Sequence, residues 1–154
     1  VMRRPYFPPQ PGDPPSLRVR VERRVRFEEV DALGIVWHGR YAGFFEDARC
    51  ALGERYGIGY LDFHAHGVAA PIRILHVDYH CPLHFNESFV IEGILPWTEA
   101  ARINMEFRIW NQKGELSTSG YTVQVFLDQD QQLMLLPPPF YQAFREKWRA
   151  GELS

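Results

Sequence analysis

The sequence predicts an α+β protein in which one long helix covers one face of a five-stranded, mostly antiparallel sheet. Three observations predict it. An alternating, strand-like run opens the regular part of the chain, a helical period runs through 41–56, and four more strand-like runs follow with no second long helix between them. One helix laid on one sheet face is a stable two-layer arrangement. At 154 residues the chain fits one domain of about 100–200 residues.

Taken in order, residues 1–16 hold Pro5, Pro8, Pro9, Pro11, Pro14 and Pro15 and are expected to form an extended or disordered leader. A single domain is expected over 17–150. From Leu17, Val19, Val21, Val25 and Phe27 share one face, and Arg18, Arg20, Glu22, Arg24 and Arg26 share the other. That is a half-buried strand, and Arg23 is its one break on the apolar side. Residues 31–39 read as a turn containing Gly34 and Gly39. Tyr41, Phe44, Phe45, Ala48, Leu52 and Tyr56 then recur at three- and four-residue spacing, which predicts one amphipathic helix stopped by Gly57 and Gly59. Gly43 and Gly53 weaken that helix by roughly 1 kcal/mol each relative to alanine, which suggests close backbone packing.

Residues 58–67 read as irregular. Strands are expected at about 69–80, 88–96, 101–110 and 117–127. The turn residues Asn111, Gln112, Lys113 and Gly114 should make the last two a hairpin. After Pro137, Phe140, Phe144 and Trp148 mark a short terminal helix. The second sheet face and the sheet edges are left needing a partner or solvent.

Composition narrows the function. Seventeen Lys and Arg against nineteen Asp and Glu give a net charge of −2, which lacks the basic footprint of a general nucleic-acid binder. A hydrophobic share of 45% with 23% charged residues excludes global disorder. Eleven Phe, seven Tyr and four Trp supply anchors for a core, a pocket or an interface. Two cysteines, Cys50 and Cys81, are too few for a disulfide scaffold, and both are expected to be small buried residues. The first residues carry charge without an apolar stretch, so no secretory signal is expected. No apolar run is long enough to span a bilayer, and a cytoplasmic location is expected.

Chemistry concentrates between Val25 and Arg49. A carboxylate, Asp31, follows the first strand; a glycine turn follows, and a helix begins just after His38. Unpaired N–H groups at a helix start can bond a carbonyl oxygen, and a carboxylate nearby can attack that carbonyl or orient a water. The plainer alternative is that Asp31 is a cap or dipole partner of the helix.

Residues Asp31, Gly34, Ile35, Val36, Trp37, His38, Tyr41, Glu46, Ala48 and Arg49 together resemble the signature of the hotdog-fold acyl-CoA thioesterases of the 4-hydroxybenzoyl-CoA thioesterase family, including the Tol-Pal-associated thioesterases. A second block, from Val77 through Pro82 to Ile91, resembles that family's second strand, its Tyr-x-x-Pro corner and the strand that follows. The resemblance implies a hotdog fold and hydrolysis of an aromatic or fatty acyl-CoA to free acid and coenzyme A. It makes Asp31 the catalytic carboxylate, as nucleophile or general base, and His38 the residue whose backbone N–H polarises the thioester carbonyl. Gly34, Val36, Trp37, Tyr41 and Glu46 are then expected around the substrate. Glu46 is the second-tier candidate, because a helix carboxylate does the catalysis in a related hotdog branch. Two positions depart from the pattern: Val30 takes the place of a usual Thr or Cys before the aspartate, and Gly39 that of Ser, Ala, Asn or Pro.

The resemblance implies no metal and no redox cofactor, coenzyme A being part of the substrate. His76, Asp78 and His80 share one strand face, but residues two apart converge poorly on an ion. Arg18, Arg20, Arg24 and Arg26 form a solvated face more readily than a phosphate site. A homo-oligomer is expected, a dimer at least or a tetramer of paired dimers, with the active site between subunits. Two rival functions stay open. A hotdog hydratase or dehydratase uses an Asp-x4-His motif, whereas Asp31 and His38 lie seven apart; a non-catalytic acyl-CoA-binding protein has no need of Asp31.

Overall fold

The structure, a computed structural model, describes residues 4–153. Its elements are β1 (Leu17–Arg24), α1 (Tyr41–Tyr56), α2 (Tyr60–Ala65), β2 (Ile72–Tyr79), β3 (Ser88–Leu95), β4 (Arg102–Trp110), β5 (Leu116–Val125) and α3 (Pro139–Arg149). The five strands form one antiparallel sheet in the order β1-β3-β4-β5-β2. The expected architecture is present, with β4 and β5 joined as the hairpin.

α1 buries Tyr41, Phe44, Phe45, Ala48 and Leu52 against the sheet. Phe45 stacks on Phe107 of β4 with ring centroids 4.5 Å apart. Burying a side chain of this kind contributes about 1.5–3 kcal/mol, so this single apolar stripe holds the helix in place. Gly57 ends α1 with φ +69°, a left-handed cap that a glycine adopts without strain.

Three local expectations change. Phe27 leaves the apolar face: it is exposed and opens a single 3-10 turn, Phe27–Glu29, because the Arg26 N–H bonds the Glu29 carboxylate at 2.8 Å and bends the chain away from β1. Residues 58–67 are not wholly irregular, since α2 forms there. Asp62 accepts the Gly59 N–H at 2.8 Å and caps its start, while Phe63 is buried beneath it. Cys50 is exposed.

Arg23, the break in the apolar face of β1, is explained by its partners. It bonds the buried Glu29 and Asp47, both at 2.9 Å, and lies over the Phe44 ring at 5.0 Å. A guanidinium so engaged can occupy a half-buried site.

Part of the outer sheet face is covered by the chain's own N-terminal segment. Residues 4–16 contain no helix or strand, yet the Tyr6 hydroxyl donates to Asp78 at 2.6 Å and its ring packs on His76 and Tyr121. The Phe7 N–H donates to Glu106 at 2.6 Å. The Trp148 indole of α3 donates to the Pro15 carbonyl at 2.9 Å. Residues 1–3 of the expected leader lie outside the described residues.

The two sheet edges differ in kind. β1 turns Arg18, Arg20, Glu22 and Arg24 outward, and charge of this density discourages edge pairing. β2 leaves Ile72, Ile74, Leu75 and Tyr79 between 44% and 53% exposed, with Arg73 its one arginine or lysine. β2 is the edge without protection.

The two helix glycines separate in a testable way. A Cβ on Gly53 falls 2.8 Å from the Gly59 Cα, whereas a Cβ on Gly43 meets nothing within 4 Å. Gly43→Ala is therefore expected to stabilise by up to about 1 kcal/mol, a Tm rise of about 2–4 °C. Gly53→Ala is expected to lower Tm instead, by overpacking of roughly 1–3 kcal/mol. Thermal unfolding followed by circular dichroism checks both.

Candidate active site

The segment from Val30 to His38 is a small hairpin clamped to the start of β3's approach. Val30 and Val36 pair across it, and the Asp31 N–H bonds the Ile35 carbonyl at 2.9 Å. The Gly34 N–H returns to the Asp31 carbonyl at 3.0 Å, with φ +76° at Gly34. On its other side the hairpin is tied to the 83–85 segment: the Val36 N–H bonds the Leu83 carbonyl at 2.9 Å and the Phe85 N–H bonds the Gly34 carbonyl at 3.0 Å. Asp31 thus sits in a braced turn, half exposed, one carboxylate oxygen accepting the Leu33 N–H at 2.8 Å. Its other oxygen has no protein hydrogen bond among those of the described residues.

A single 3-10 turn, His38–Arg40, leads directly into α1. The amides of His38 and Gly39 open this helical run and have no helix carbonyl one turn behind them, which makes them donors for an incoming oxygen. The Tyr79 hydroxyl, from the open edge strand, donates to the His38 carbonyl at 2.6 Å and ties this turn to β2. The departure at Gly39 has a packing cause. The Trp37 ring lies against it, where a Cβ would fall 2.3 Å from the ring. Glu29, before Val30, is occupied with Arg23 and the Arg26 N–H.

The expected site residues fall into three places. Asp31, Gly34, Trp37 and His38 share the turn, with the Trp37 and His38 rings 5.0 Å apart. Val36 and Tyr41 are buried beneath it. Burial pushes the Tyr41 phenol up, against the opposing effect of hydrogen bonds with Leu83, Ser117 and Thr118. Glu46 stands elsewhere, in the wall of a cavity of about 610 Å³ between α1, α2 and the sheet. Arg49 holds it, with Nε at 3.0 and 3.2 Å from the two carboxylate oxygens.

That cavity is the feature sequence reasoning missed. It is bounded by the N-terminal end of β2 at Ile72 and by the loop before it, whereas Asp31 and His38 do not line it. The local signal was Gly59 followed by Asp62 and Phe63, which reads as a capped helix start, but a cavity needs three elements at once. Cys50 lies in its wall. Burial, with Glu46, Asp47 and Glu54 nearby, pushes the Cys50 thiol up, so it is a poor nucleophile at neutral pH.

On the outer face, His76 Nε2 lies 2.9 Å from Asp78 and His80 Nε2 lies 2.9 Å from the Ser119 hydroxyl. His76 and Asp78, two apart on β2, thus hydrogen-bond each other directly. Among the described residues no group of three or more His, Cys, Asp and Glu side chains is placed to hold a metal. No helix among them is long and apolar enough to cross a membrane.

A five-stranded antiparallel sheet carrying one long helix, entered through a short turn after the first strand, is the hotdog fold. The chain belongs to the thioesterase-like superfamily, which it matches over residues 25–147. The Bacillus subtilis protein YneP is 30% identical over 131 residues, covering 85% of this chain and 93% of that protein. The acyl-CoA thioester hydrolase YbgC of Escherichia coli is 26% identical over 68% of this chain and 78% of its own length. Among solved structures, a DHNA-CoA thioesterase from Staphylococcus aureus superposes with a TM-score of 0.76 at 27% identity, over 86% of this chain and 91% of that one.

Proposed function

We propose that the protein hydrolyses the thioester of an acyl-CoA, with Asp31 as nucleophile or general base, at a site completed by a second copy of the chain. One observation carries this reading: the Asp31 turn and the cavity sit at opposite ends of the same unprotected edge strand. Tyr79 ties one end of β2 to His38, and Ile72 lines the cavity at the other. The two ends are about 24 Å apart along an extended strand. Antiparallel pairing of two β2 edges about a two-fold axis sets residue 79 of one copy against residue 72 of the next. Each Asp31 turn then faces its partner's cavity.

In that arrangement the acyl group enters the cavity and the thioester carbonyl lies at the partner's turn. The His38 backbone N–H bonds the carbonyl oxygen and stabilises the charge that develops there. Asp31, with one oxygen held by Leu33 and the other available, attacks the carbonyl carbon or deprotonates a water that does so. The thiolate of coenzyme A leaves and is protonated; where Asp31 is the nucleophile, a water then hydrolyses the acyl-aspartyl anhydride, releasing the free acid and restoring the carboxylate. The chemistry calls for no metal or redox cofactor. Pairs of such dimers are the larger assembly we propose. Cys50 and Cys81 are free thiols, which suits a reducing compartment, and we place the protein in the cytoplasm.

Thiol release from a panel of acyl-CoA thioesters tests the reaction. Free coenzyme A is the expected product; a hydration product marks a hydratase, and tight binding without turnover marks a binding protein. His38→Ala tests the oxyanion assignment, because it removes the imidazole and keeps the N–H. A loss of only ~10-fold in kcat, about 1.4 kcal/mol, is expected. A loss equal to that of Asp31→Asn would make the imidazole part of the chemistry.

A further inference from the structure

The cavity beside α1 divides into a polar rim and an apolar interior. Tyr60, His64, Asp128 and Gln131 stand at its rim, all exposed to solvent. Its deep wall is built from the buried side chains of Leu52, Phe63, Leu95, Ile103 and Met105. Three polar side chains border this interior, Glu46, Arg49 and Gln124, and Arg49 bonds the other two. Arg49 donates to Glu46, to the Thr122 hydroxyl at 2.7 Å and to the Gln124 side-chain oxygen, and its guanidinium lies over the Phe107 ring. Gln124 spends one amide N–H on the Ala70 carbonyl at 2.7 Å.

A phenolic hydroxyl carried past these groups to the wall of Leu52, Phe63, Leu95, Ile103 and Met105 meets only apolar side chains, and a hydroxyl taken out of water unpaired is unfavourable. Size points the same way. A cavity of roughly 150 Å³ is enough for benzene. The space here, about 610 Å³, is about four times what one aromatic ring requires. A single ring would leave most of the apolar wall in contact with water.

We infer that the acyl group is an unsubstituted aliphatic chain of medium to long length and not a hydroxylated aromatic ring. This inference rests on the thioesterase reading and specifies its substrate. The polar rim meets the coenzyme A end, and successive methylenes cover the apolar wall, each worth up to roughly 4-fold in binding.

Two measurements separate the pocket from the reaction. The first is kcat/KM for butanoyl-, octanoyl-, dodecanoyl- and 4-hydroxybenzoyl-CoA with the wild-type protein. It is expected to climb with chain length, and dodecanoyl-CoA should exceed 4-hydroxybenzoyl-CoA by about 10²-fold or more. Val68→Phe narrows the cavity and is expected to move the optimum to a shorter chain. Ile58→Phe, from another part of the wall, does the same should Val68→Phe fail to fold by circular dichroism. The second is calorimetric binding of dodecanoyl- and 4-hydroxybenzoyl-CoA to the Asp31→Asn protein, where the shared coenzyme A handle cancels and turnover is slow. Equal binding of the two, or a length profile unmoved by both variants, would overturn the inference and leave the thioesterase reading standing wherever thiol is released. Tight dodecanoyl-CoA binding with no thiol released from any thioester would overturn the reaction and support the pocket.

Discussion

Asp31→Asn is expected to lower kcat for thiol release by about 10²–10⁴-fold, the usual contribution of a general base, and by more where the carboxylate is the nucleophile. Asparagine is nearly isosteric and its side-chain oxygen can still accept the Leu33 N–H that the carboxylate accepts at 2.8 Å. The hairpin is otherwise held by backbone bonds, among them Asp31 to Ile35 and Val36 to Leu83, each 2.9 Å. The turn should therefore survive, and Tm should change little. Where chemistry limits turnover, KM should also change little, because a group that acts only in the transition state does not set ground-state binding. Stopped-time thiol assays on the best substrate, paired with thermal unfolding, check all three expectations. Near-full activity in Asp31→Asn would remove Asp31 from the chemistry, and Glu46, the other carboxylate near the substrate path, would be the next to replace.

The second large effect is expected at the β2 edge. Ile74 and Leu75 are 46% and 49% exposed, one on each face of the strand, so the double substitution Ile74→Lys, Leu75→Lys alters a solvent-facing edge and leaves the core of each protomer untouched. Like charges brought together across a two-fold edge oppose pairing. Light scattering is expected to show a species near the chain mass of 18.0 kDa, where the wild-type protein gives at least twice that. Thiol release should fall by about the same 10²–10⁴-fold as in Asp31→Asn, because each turn then lacks the cavity opposite it. Wild-type protein that is monomeric at micromolar concentration and fully active would overturn the shared site. A monomeric variant with unchanged kcat/KM would do the same.

Local pattern was enough for the fold because each main element declares itself over short range. The alternation of Val19 and Val21 with Arg18 and Arg20, the spacing of Phe44, Phe45, Ala48 and Leu52, and the 111–114 turn all report a period or a backbone constraint within a few residues. The break at Arg23 was visible, but its cause was not. Its partners lie at Glu29 and Asp47, and the second is brought near only when α1 lands on the sheet. The departure at Gly39 was likewise readable as an exception, and its cause, the Trp37 ring lying where a Cβ would go, is a matter of side-chain placement.

What the sequence by itself determined is the layer arrangement, the helix and strand order, and the segment with Asp31 ahead of a helix start. These rest on hydrophobic period, turn chemistry and motif spacing, all local properties. Tertiary structure alone decided the rest. It placed the Pro-rich segment on the outer sheet face through Tyr6 and Phe7, built a cavity from three elements distant in sequence, and separated that cavity from Asp31 by the length of β2. It also showed that β1 is the guarded edge and β2 the open one. The physical reason is that burial and proximity belong to pairs of elements. A run of residues specifies its own period, but which surface it covers, and which edge it leaves bare, depends on where every other run comes to rest.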